Sequence, residues 1–242
     1  MKLIHAELIK LASLPSAWIA AGLATILPAA VAVLNSRSQV SRGIDAGFQD
    51  LAPGVIGAIV IGVVAVSSEY LVEGAESGGG RQITTSLTAV ASRARFLLAK
   101  AAAVAVTVAL LALLSSAITL TATSLTDKTV SIGTSDLPRV AGVTAYWILT
   151  ALLASGFTLV TRSGIVPLTF CIVNMSVVSV SFLLTKLTSW ANYLPDLAGM
   201  HLFLRDLDRS ADIAPLTGGL VMGLWVVVIA GIGFAVFGRR DA

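Results

Sequence analysis

The chain has 242 residues, of which 56% are hydrophobic and only 12% are charged, with a net charge of +3 and a mean hydropathy of +0.92. Soluble domains are nearer 45–50% apolar and about 25% charged, so this composition excludes an ordinary soluble protein and points to a polytopic membrane protein. Little length is left for a second soluble domain, and the single cysteine, Cys171, excludes an intrachain disulfide framework.

The first predicted element is KLIHAELIKLAS over 2–13. It gathers Leu3, Ile4, Leu8 and Leu11 near one helical face, with Glu7 and Lys10 mostly elsewhere. This pattern fits a short amphipathic helix on the inner membrane surface. A break follows at Pro15, and Trp18 suits the interface. The charged residues spread through 1–13 and the lack of a small-residue cleavage site argue against a cleaved signal peptide.

Six apolar stretches then run over about 17–35, 51–68, 98–121, 140–160, 165–184 and 217–237. Each approaches or exceeds the roughly 20 helical residues needed to cross a hydrocarbon layer about 30 Å thick. None has a charged residue in its core, which predicts a bundle without titrating or ion-pairing groups at membrane depth. Pro28 should loosen the first span, and Ala58 with Gly62 makes a small-residue pair suited to close helix contact.

Between the second and third stretches, Gly78-Gly79-Gly80 breaks a polar segment, and 81–100 resumes a helical pattern that reads as a short helix lying at the inner surface. Between the fifth and sixth, 185–216 carries Trp190, Tyr193, Leu194, Leu197, Leu202 and Phe203, which need partial burial. An amphipathic or re-entrant element fits better than a plain loop. With the N-terminus inside and six alternating spans, nine of the 16 basic residues fall on the inner side and seven on the outer. This places both termini in the cytoplasm.

Chemistry is sparse. No G-x-x-x-x-G-K-[ST] phosphate loop, G-x-S-x-G elbow or H-E-x-x-H pair is present, so the chain is not read as an enzyme and needs no metal or cofactor of its own. Ser77 to Gln82 looks like a nucleotide-cassette signature loop only in isolation; a helix break in a polar linker explains it. The groups at depth are neutral; interhelical hydrogen bonding is their first reading, and Asn174, Ser181 and Ser155 are otherwise the candidate lining of a substrate path.

The stretch AELIKLASLPSAW, with Glu7, Lys10 and Ser13, resembles the start of permease subunits of ATP-binding-cassette transporters of the type-2 family. The segment 66–100 is similar to that family's inner loop through Glu69, Tyr70, Arg81, Thr85, Arg93 and Lys100, although Ala91 stands where the family often has Pro. Arg239-Arg240-Asp241 after the last span fits as well. The resemblance implies an all-α permease of six spans in a bacterial plasma membrane. It implies a coupling loop over 69–97, in which Glu69, Glu73, Arg81, Thr85, Arg93 and Arg95 meet a separate cassette ATPase. Two such ATPase subunits would carry ATP and Mg, and a second permease subunit, identical or similar, would complete the complex. The partners are thus protein subunits and the lipid bilayer, with no nucleic acid. The cargo expected from the charge-free bundle is amphipathic or apolar: a drug, an antimicrobial peptide or a lipid-like molecule. The alternatives are a non-transporting membrane component of an ATPase-linked complex and, less favoured, a sodium-dependent secondary carrier.

Overall fold

The computed structural model describes residues 2–37, 43–70, 92–127, 130, 132–175, 180–206 and 213–240. Every regular element among them is helical. Helix α1 is Lys2–Ser13, α2 Pro15–Ser36, α3 Val55–Ser67 and α4 Arg93–Thr126. They are followed by α5 Leu137–Thr161, α6 Ile165–Met175, α7 Val180–Thr185, α8 Pro195–Met200 and α9 Pro215–Arg240. Tighter 3₁₀ turns extend α3 at both ends, over Gln49–Gly54 and Ser68–Tyr70, and another covers Ser189–Tyr193.

Five segments are long and apolar enough to cross a membrane: Pro15–Ser36, Gln49–Tyr70, Arg93–Thr126, Thr134–Thr161 and Pro215–Gly238. The chain is therefore a multi-pass, all-helical membrane protein. The Gln49–Tyr70 and Thr134–Thr161 segments are central, with 67% and 56% of their most apolar windows buried, against 22–33% for the other three. The outer helices turn Ile19, Ile26, Leu110, Leu114, Leu220 and Val227 outward. Such a belt suits hydrocarbon rather than water.

Contact between the central helices depends on missing side chains. A Cβ added at Gly62 would lie 2.2 Å from the Ala151 carbonyl oxygen on α5, and one at Gly57 would lie 2.4 Å from the Ala20 carbonyl oxygen on α2. Small residues let backbones approach closely where lipid offers no hydrophobic drive for association. Pro28 lies inside α2, where it cannot donate to the Ala24 carbonyl. Ser115 Oγ on α4 donates to that carbonyl instead, at 2.8 Å. The predicted weak point of the first span is thus repaired from the neighbouring helix.

The predicted fifth span, 165–184, is described in two helical parts. It is present as α6, of 11 residues, and α7, of 6, and residues 176–179 lie outside the described residues. At about 1.5 Å per residue, α6 alone reaches only half of a 30 Å layer. The chain nevertheless returns from one end of α5 to the other across 161–203. Gly164 sits against Ser67 at one end, and Phe203 accepts a hydrogen bond from Arg139 near the other. Along the way Ala191, Asn192 and Asp196–Gly199 are buried, and Trp225 Nε1, ten positions into α9, donates to the Tyr193 carbonyl at 3.0 Å. The aromatic-apolar part of 185–216 is thus packed alongside α5 and α9, and 207–212 lie outside the described residues.

Candidate functional site

Two features stand out chemically, one at the end of the bundle where α1 lies and one in its side. At the first, Lys100, in the second turn of α4, projects inward and is 4% exposed. Its Nζ donates to Glu7 of α1 and, at 2.9 Å, to Glu69 at the end of α3; Lys10 of α1 also pairs with Glu69. Glu69 is 2% exposed. Two acids and two bases thus form one network, buried apart from the partly exposed Lys10. Each charge removed from water finds an opposite partner, the condition under which buried ions are tolerated.

The sequence expectation concerned ion-pairing groups at membrane depth; this network lies at the ends of the spans. The third stretch, bounded at 98, already contains Lys100, and the charges sit at the ends of spans where α1 covers them. It also regroups the predicted residues. Glu7 and Lys10 read as an interfacial-helix pair, and Glu69 as part of a coupling surface; the fold joins all three through Lys100. Arg93 is half-buried, and its Nη1 donates to the Gly238 carbonyl of α9 at 3.1 Å, while Arg95 is exposed. Beneath them Val66, Phe96, Leu159 and Phe237 form a small apolar cluster joining α3, α4, α5 and α9. Glu73, Arg81 and Thr85 lie outside the described residues, as does 81–91 of the expected surface helix, whose remainder from Arg93 on is the first part of the continuous helix α4.

A second ion pair closes the opposite end. Arg139, near the start of α5, pairs with Asp45 and donates from Nε to the Phe203 carbonyl (2.9 Å) and from Nη1 to the Ile44 carbonyl (3.1 Å). Asp45 also accepts from the backbone N–H groups of Arg205 (3.0 Å) and Asp206 (2.8 Å). The guanidinium lies over the Phe48 ring, 3.8 Å from its centroid. This clasp ties the connection after α2 to the connection before α9. Sequence reasoning missed it because both partners stand in polar connections 94 residues apart.

The side feature is a groove of about 730 Å³ between α5, α6, α7, α8 and α9. Its walls are apolar, with Phe157, Val166, Phe170, Met222 and Trp225 among them. Asn174 and Ser181 both face it, and Ser181 Oγ donates to Asn174 Oδ1 at 3.3 Å. The third predicted path residue, Ser155, is elsewhere. It donates to the carbonyls of Gly62 (3.0 Å) and Ala151 (2.8 Å) and lines a separate cavity of about 450 Å³ between α4, α5 and α9. The groove also takes Asp196, which the sequence reading passed over because it falls between the fifth and sixth stretches. Thr150, thirteen positions into α5, lines the same groove, and Asp196 is itself buried there. No cluster of metal-binding side chains occurs among the described residues. No family model and no curated protein matches the sequence.

Proposed function

We propose that this chain is the membrane-spanning subunit of an ATP-driven exporter, working with a second permease subunit and two separate cassette ATPases that hold ATP and Mg. In this reading 165–184 completes a sixth crossing, 185–216 supplies the re-entrant outer element, and both termini face the cytoplasm of a bacterial cell. The observation that carries it is the network of Glu7, Lys10, Glu69 and Lys100. It stands where the chain leaves α3 for 71–91 and where α4 begins, so a push on that segment reaches α1, α3 and α4 together. ATP binding then favours one of two packings of the spans, and access to the groove alternates with it.

The test is co-purification from the native membrane in a mild detergent. A separate cassette ATPase recovered in stoichiometric amount is the expected result. A folded, ATPase-free chain that carries out its transport alone would sink the assignment.

A further inference from the structure

The lateral groove holds more information than its apolar walls. Among the described residues that line it, Asp196 is the only one ordinarily charged at neutral pH. It is 3% exposed and opens α8 behind Leu194 and Pro195. The volume, about 730 Å³, matches a drug-sized molecule rather than a folded peptide or a two-chain lipid. Several groove residues, Ile165, Val166, Phe170 and Val173, are also exposed on the outer surface of the bundle, so a solute dissolved in the bilayer can enter sideways.

The geometry points to a hydrophobic organic monocation as the occupant, its apolar body against Phe157, Met222 and Trp225 and its positive charge toward Asp196. Attraction between unit charges is strong where water is excluded, and a cation favours the ionised form of a buried carboxylate. Aromatic faces add to this, because Trp and Phe attract cations through the ring quadrupole. An anion of equal size meets the same walls and the opposite electrostatics. The hydroxyl and amide of Ser181 and Asn174, bonded to each other, leave the rest of the groove without a competing charge.

The experiment uses two probes of nearly equal shape and opposite charge, tetraphenylphosphonium and tetraphenylborate. Binding to the full chain in lipid nanodiscs is measured net of protein-free nanodiscs. The phosphonium should bind at least tenfold more tightly than the borate. Asp196→Asn should abolish most of that preference, and Thr169→Trp, at an exposed position on the groove wall, should weaken phosphonium binding. Equal net binding of the two ions to the unaltered chain overturns the proposal, as does a preference that survives in Asp196→Asn. Should Asp196→Asn fail to fold, the comparison on the unaltered chain and on Thr169→Trp still decides. The inference rests on the export reading only for transport. Charge-selective binding without a co-purifying ATPase leaves the groove standing, and a co-purifying ATPase without such binding removes the groove alone.

Discussion

At the scale of single residues, the buried charges matter most. Lys100 is shared by two carboxylates, so removing it strands Glu7 away from water and leaves Glu69 to Lys10. Breaking a buried pair from one side costs about 3–5 kcal/mol, more than the intact pair contributes over an apolar substitute. Lys100→Met should therefore lower the melting temperature of the detergent-purified chain sharply. Adding Glu7→Gln removes the stranded carboxylate, so the double variant should melt above Lys100→Met alone. Additive losses in the two variants would show that the charges do not act as one network. The repair of α2 by Ser115 illustrates the same economy with a neutral group: a proline frees a carbonyl, and a hydroxyl from the next helix occupies it.

At the scale of elements, the helices are held by close backbone approach, and glycines separate into two kinds. Gly62 faces the α5 backbone, whereas Gly223 on α9 has nothing within 4 Å of an added Cβ. Gly62→Ala should push α3 from α5 and destabilise by about 1–3 kcal/mol, the usual cost of overpacking. Gly223→Ala should be neutral or stabilising by about 0.5–1 kcal/mol, because alanine loses less backbone entropy in a helix. Thermal melts of the two variants check this, and equal effects would contradict the packing described. The close contact at Gly62 was readable from spacing, as were α1, the break at Pro15 and five long apolar helices. The positions of Asp45, Arg139 and Asp196 were hidden. Each lies between apolar stretches, and only the folded connections carry them inward.

At the scale of the whole molecule, the two ion clusters mark opposite ends of the bundle. Ser13 and Thr161 lie toward the Lys100 end, and Gln49 and Arg205 toward the Asp45 end; all four are exposed. Single cysteines at these positions, in a Cys171→Ser background, should divide into two pairs when a membrane-impermeant maleimide is applied from one side. Ser13→Cys and Thr161→Cys should react from one side, and Gln49→Cys and Arg205→Cys from the other. Reaction of Thr161→Cys and Arg205→Cys from the same side would remove the sixth crossing from the topology.

The Lys100 network also bears on the order in which the protein is made. Glu7 leaves the ribosome early, and its partner Lys100 follows 93 residues later. At roughly 5–20 residues per second, α1 waits on the order of 5–20 s. During that interval its carboxylate has no lysine from α4, and its apolar face has only lipid headgroups to rest on. Docking of α1 is thus a late event of biosynthesis, and it closes the amino-terminal half only after α2 and α3 have been made and α4 has begun. A translation pause between α3 and α4 would lengthen the exposure of an amphipathic segment that surface proteases can reach.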